Sequence, residues 1–164
     1  MAFELVETIT SNGSATGVVF DNIPQDAIDL VMYVSNNSAG AQFRYQINDS
    51  TGYKVTRLRG TGTSEAILYN SGSNIYFSNG GGEGAYNGGA AKRQGWSNLK
   101  ISWADYQSSN QKTMNWEIGG SCDRESVALD IGSIVTDQTS AITKIELSGG
   151  TWLSGSTASL YKIY

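Results

Sequence analysis

Apolar residues in this chain recur at every second position over short stretches, and that rhythm confines it to one fold class. Gln42-Phe43-Arg44-Tyr45-Gln46-Ile47-Asn48 alternates polar and apolar side chains without a fault, the pattern of a strand with one buried face. Ile28, Leu30, Met32 and Val34 share one face, with Asp29 and Ser35 on the other. The pattern returns in Thr113–Ile118 and in Val127–Ile131, where the apolar face is expected to turn inward. Further strands are expected over Phe3–Thr10, Gly17–Phe20, Gly52–Arg59, Glu65–Tyr69, Asn74–Ser78, Leu99–Trp103, Ile142–Leu147 and Ser156–Ile163. No ten-residue window carries a helical stripe with normal caps. The chain reads as all-β.

Turn residues fall between these segments. Asn12-Gly13, Asn48-Asp49-Ser50-Thr51-Gly52, Asn70-Ser71-Gly72 and Gly149-Gly150 supply the positive-φ positions that tight connections need. Short alternating strands joined by such turns predict a two-sheet antiparallel β-sandwich or jelly roll, whereas a parallel sheet would show continuous apolar runs. At 164 residues, one domain spanning 1–164 is expected.

Composition narrows the chemistry. Ser, Gly, Thr and Asn supply two residues in every five, and only 16% of residues are charged, against roughly 25% in an average domain. With 39% hydrophobic residues, including 4 Trp and 9 Tyr, the chain has a core to build and is not a disordered tract. There is no His, so the commonest general base, metal ligand and partner of a Ser or Cys nucleophile is missing. The net charge of −4 and the scattered Lys and Arg do not form the basic face that nucleic-acid binding uses. Cys122 is the single cysteine, so no intrachain disulfide forms. Met1-Ala2-Phe3-Glu4-Leu5-Val6-Glu7 lacks a basic n-region and an apolar core of signal length, and no stretch reaches ~18 apolar residues. The expectation is a soluble chain made in the cytoplasm.

No motif amounts to an active site. Residues 80–95 hold seven glycines and read as an extended surface loop; in a sharper reading it orders against a partner through Tyr86, Lys92 and Arg93. Gly88-Gly89-Ala90-Ala91-Lys92-Arg93 lacks the Gly-Lys-Ser/Thr ending of a P-loop. Gly80-Gly81-Gly82-Glu83-Gly84-Ala85 has no helix after it to bind pyrophosphate. Asp105, Glu117, Asp123 and Glu125 are the acids available for glycosidase chemistry. Glu117 alternates outward from Trp116, however, and Asp123-Arg124-Glu125 neutralises itself. No enzyme, cofactor or metal is expected. Among the aromatics, Trp103, Trp116 and Trp152 are assigned to the core, while Trp96 and Tyr106 lie beside polar segments and are the exposed candidates for a glycan or protein contact.

The two chain ends carry the most specific signal. Thr143-Lys144-Ile145-Glu146-Leu147, then Trp152 and Gly155-Ser156-Thr157-Ala158-Ser159-Leu160-Tyr161-Lys162-Ile163, resemble the close of many tailed-bacteriophage virion proteins of the jelly-roll type. In those proteins a T-x-I-x-L strand precedes an aromatic and then G-S-T-x-S-L-Y-G-I. Val18-Val19-Phe20-Asp21-Asn22-Ile23-Pro24, followed by Ile28-Asp29-Leu30-Val31-Met32, resembles the opening V-x-F-x-x-I-P-x-x-Y-x-D-L-V-L of the same group. The resemblance covers about a third of the chain. Lys162 stands where the group has Gly, and Ile28 stands near its aromatic. Trp152, Gly155, Ser156, Leu160, Tyr161 and Ile163 form the fold-closing motif, whose strand is expected to return beside the first one.

The resemblance implies a virion structural protein, often a homotrimer, with itself and a major capsid protein or other virion component as partners. Without an N-terminal stalk, capsid decoration (cement) is favoured over a tail fibre. The rival from a different class is a receptor-binding or carbohydrate-binding β-sandwich module.

Overall fold

The computed structural model describes residues 2–39, 42–50, 52–60, 65–72, 75–78, 94–122, 126–148 and 151–164. Among them lie thirteen strands and no helix: β1 (Phe3–Thr10), β2 (Gly17–Phe20), β3 (Asp29–Ala39), β4 (Gln42–Ile47), β5 (Tyr53–Gly60), β6 (Glu65–Gly72), β7 (Ile75–Ser78), β8 (Gln94–Trp103), β9 (Thr113–Cys122), β10 (Ser126–Thr136), β11 (Ile145–Ser148), β12 (Thr151–Trp152) and β13 (Thr157–Ile163). They form two antiparallel sheets. One runs β1-β13-β3-β8-β9-β10-β5-β6, with β12 also on β3; the other runs β2-β11-β4-β7.

Eight of these strands are nested. β1 pairs with β13, β2 with β11, β3 with β8 and β4 with β7. A long antiparallel ribbon of paired chain rolled over in this way, and completed by the β13–β3 and β11–β4 pairings, is the jelly roll. Two hairpins are inserted into it. β5–β6 lies between β4 and β7 in sequence, and β9–β10 between β8 and β11; they join through the β10–β5 ladder. Both extend the same sheet beyond β8. The chain is therefore a β-sandwich with one sheet much wider than the other.

The core lies between the sheets. Val18, Phe20, Tyr45, Ile47, Ile145 and Leu147 come from the small sheet and meet Leu30, Met32, Ile101, Trp103, Met114 and Leu160 from the large one. Trp103, Trp116 and Trp152 are all buried. Ile28, by contrast, precedes β3 and is exposed, while Val31 on the opposite parity is buried.

Local chemistry explains the corners. Asn48 and Asp49 both have positive φ, and Ser50 N–H donates to the Ile47 carbonyl at 2.8 Å, a turn that Asn and Asp tolerate. It joins β4 to β5, which belong to different sheets, so it turns a corner of the sandwich instead of closing a hairpin. The Asn48 amide holds that corner: Oδ1 accepts from Thr143 and Lys144 N–H, each at 3.0 Å, and Nδ2 donates to the Ala141 carbonyl at 2.7 Å. The turn expected at Asn70-Ser71-Gly72 lies instead within β6, where these residues pair with Val55, Lys54 and Tyr53.

The C-terminal strand is interior to its sheet, between β1 and β3. Residues 153–156 loop out between β12 and β13, which share β3 as partner, and Gly155 provides a φ of 87° there. Ser11 at the end of β1 clamps this loop. Its N–H donates to the Ser156 carbonyl (2.8 Å), its Oγ to the Trp152 carbonyl (2.7 Å), and its carbonyl accepts from Gly155 N–H (3.0 Å). At the far end, Lys162 is buried and its ammonium meets Glu4 at 3.1 Å and Asp26 at 3.0 Å. A buried ammonium is tolerable only with such partners.

Candidate functional site

The features that the core does not explain lie on the outer face of the large sheet. The central observation is a local inversion of polarity, at Arg57-Leu58 in β5 and at Leu129-Asp130-Ile131 in β10, beside inward faces that are otherwise apolar at Tyr53, Val55 and Ile134. Val127, Leu129 and Ile131 were expected to face inward, but Leu129 and Ile131 are exposed and Asp130 is buried. In β5 likewise, Arg57 is buried and Leu58 exposed. The inward charges account for this register. Arg57 Nη1 lies 3.8 Å from Asp130 Oδ2, and Trp116 Nε1 donates to Asp130 Oδ1 at 3.2 Å. Gly132 lets the Trp116 ring lie against the strand, since a Cβ there would sit 2.4 Å from that ring and 2.5 Å from the Thr56 carbonyl oxygen. Moving either strand by one residue would expose the paired charges' sites and break this packing.

The consequence outside is a row of apolar side chains in direct lateral register. Ile131 pairs with Leu58, and Leu58 with Ile67; Ile67 is 79% exposed. The row borders a depression of about 450 Å³ with Thr56, Asn115 and Ser133, and Leu129 and Val135 extend the apolar surface along β10. Single exposed apolar residues are ordinary, but a contiguous patch marks an interaction surface.

A second feature lies on β13, β3, β8 and β9. A shallow groove of about 580 Å³ runs over Ser35, Asn98 and Gly119, which are aligned across β3, β8 and β9. Tyr33 and Tyr161 stand at its side, their ring centroids 6.0 Å apart and nearly perpendicular. Lys100 Nζ bonds Glu117 Oε1 at 2.8 Å along the same wall, and that hydrogen bond holds the Lys100 ammonium above its usual pKa.

The aromatic and basic candidates fare differently. Tyr86, Lys92 and Arg93, with most of the 80–95 loop, lie outside the described residues, as do Asp123 and Glu125. Trp96 is in β8 opposite Asn37, and its side chain lies outside what the structure describes. Tyr106 is corrected from exposed to buried: it is fully covered, its hydroxyl donating to the Pro24 carbonyl and its carbonyl accepting from Ile142 N–H at 2.9 Å. Its neighbours in sequence are polar, but its own side chain belongs to the core cluster. Glu117 is on the outer face as expected, engaged by Lys100, and Asp105 sits in the turn after β8 with a φ of 51°.

Among the described residues, no group of three or more His, Cys, Asp or Glu is placed to hold a metal ion, and no helix is long and apolar enough to cross a membrane. Comparison with family models, with curated proteins and with solved structures finds no match for this chain.

Proposed function

We propose that the chain is an adhesive virion structural protein, a capsid decoration protein that binds the capsid surface and stabilises it without catalysis. The observation that carries this reading is the outward apolar row Ile131–Leu58–Ile67 on the wide sheet. Two buried charges are spent inside the sandwich at Arg57 and Asp130 while apolar side chains face outward, an arrangement suited to docking on another protein. The resemblance of both chain ends to tailed-phage virion proteins, and the jelly-roll order of the eight nested strands, support the choice of a virion as the setting. A lasting contact needs on the order of 1,000 Å² of buried surface, and assembly as a homotrimer would multiply one weak contact by avidity.

The test is to incubate the purified protein with undecorated capsids and, separately, with isolated tails, and to measure the bound stoichiometry by co-sedimentation. Saturable binding to capsids, lost in Leu58→Lys/Ile67→Lys, is the expected result. Saturation of tails alone would favour the tail-fibre reading, and binding to neither would overturn the proposal.

A further inference from the structure

We propose that the groove over Gly119 is a binding subsite for a neutral saccharide. The strands beneath it, β3, β8 and β9, are each hydrogen-bonded on both sides, so no free backbone edge is available to add a peptide strand. Recognition there must come from side chains. Tyr33, 45% exposed, presents a ring that Tyr161 steadies edge-on. Such a ring suits the apolar C–H face of a pyranose. Around it stand the Asn98 amide and the hydroxyls of Ser35, Thr157 and Ser159, which both donate and accept, as sugar hydroxyls do. The two charges on the wall, Lys100 and Glu117, are bonded to each other, so the groove offers no net charge to an anion.

Gly119 is the second, independent observation. Glycine inside a strand weakens it, and often marks a place where a ligand approaches closely. Gly132 has an internal reason in the Trp116 ring; Gly119 has none, because a Cβ built there meets nothing within 4 Å. Its missing side chain leaves the floor of the groove open between Asn98 and Leu129, its register partners on β8 and β10.

This subsite adjoins the apolar surface at Leu129 but includes neither Leu58 nor Ile67, and each stands if the other fails. The probes are unbranched tetrasaccharides of neutral hexose and of N-acetylhexosamine, with their sulfated counterparts, titrated to millimolar concentration into the isotope-labelled full chain. For at least one neutral probe, amide shifts are expected at Ser35, Asn98 and Gly119. Gly119→Val should weaken binding at least about tenfold while leaving the melting temperature unchanged or higher, since a β-branched residue suits an open strand position. If Gly119→Val does not fold, Tyr33→Ala carries the same test with the same expected loss. The proposal is overturned by the absence of shifts with every neutral probe, by shifts elsewhere on the molecule, by a preference for the sulfated probes, or by undiminished binding in the variants. Concentration-dependent shifts at these amides without sugar would overturn it too, by assigning the groove to a second copy of the chain.

Discussion

Trp103 Nε1 donates a 2.6 Å hydrogen bond to the Tyr45 hydroxyl between the two sheets, with the ring centroids 6.0 Å apart. β8 supplies the donor from the wide sheet and β4 the acceptor from the narrow one, so this bond fixes how the layers meet. Tyr45→Phe keeps the ring but leaves a buried indole N–H without that acceptor, which costs about 1–3 kcal/mol. Urea unfolding should show the loss, and a Tyr45→Phe/Trp103→Phe double variant should be less destabilised than the sum of the two singles. Strict additivity would mean that the pair does not couple the sheets.

Alkaline pH should unfold the protein through the same region. Burial pushes the Tyr45 hydroxyl well above its ordinary pKa, and burial also raises Tyr53, which packs beside it at 6.2 Å. The folded state therefore keeps protons that the unfolded chain releases above about pH 10. Stability from these groups is fully present below that value and is lost as pH rises through the window above it, by about 1.4 kcal/mol per pH unit for each tyrosine that stays protonated. Melting temperatures measured from pH 8 upward should be level and then fall, with a shallower fall in Tyr53→Phe. An equally steep fall in that variant would remove Tyr53 from the explanation.

Glycine-to-alanine substitutions should separate three physical causes. At Gly132 a Cβ would meet the Trp116 ring and the Thr56 carbonyl oxygen at 2.4 and 2.5 Å, and since one of these is backbone, Gly132→Ala should cost about 1–3 kcal/mol by overpacking. At Gly155 there is open space but φ is +87°, so Gly155→Ala should cost about 1 kcal/mol from backbone strain alone. At Gly119 neither applies, and alanine should be neutral or stabilising. Chemical denaturation ranks the three; a Gly132→Ala variant as stable as the wild type would mean that Trp116 does not lie against that strand.

Much of this architecture was legible in the residues, because in a strand each side chain declares its face. Gln42–Ile47 and Thr113–Ile118 could be placed by period alone: Tyr45, Ile47, Met114, Trp116 and Ile118 are buried, although Gln46 is covered as well. The period does not say which set of a strand faces inward when a buried ion pair competes with the apolar residues. In β10, Asp130 goes in to meet Arg57 and Trp116, and Leu129 and Ile131 go out. A sign was present: the alternation that turns Tyr53 and Val55 inward also turns Arg57 inward and Leu58 outward. Turn chemistry was legible at Asn48 and Asp49, yet it specifies only local dihedrals. Whether the following strand pairs back or crosses to the other sheet is decided by partners such as Thr143 and Lys144, nearly a hundred residues away. The groove was illegible for the same reason. Asn98 and Gly119 become neighbours only through the β8–β9 register, and nothing adjacent to Gly119 in the chain announces it.

The last strand should be indispensable. β13 is hydrogen-bonded to β1 over Thr157–Ile163 on one side and to β3 on the other, and Ser156, Ala158 and Leu160 are fully buried. Removing residues 156–164 deprives β1 of its ladder, leaves one edge of β3 unpaired and leaves Ser11 without its Ser156 partner. It also takes away Lys162, whose loss leaves Glu4 and Asp26 on adjoining elements without their shared cation. No remaining strand can replace it, since the opposite flank of β3 is already occupied by β8. The truncated chain should therefore be recovered only as aggregate or unfolded monomer, with no cooperative melting transition by circular dichroism. The single variant Lys162→Gly, which removes only that cation, should fold but melt at lower temperature. A monodisperse truncation with a sharp transition would show that β1 and β3 can close the sheet by themselves.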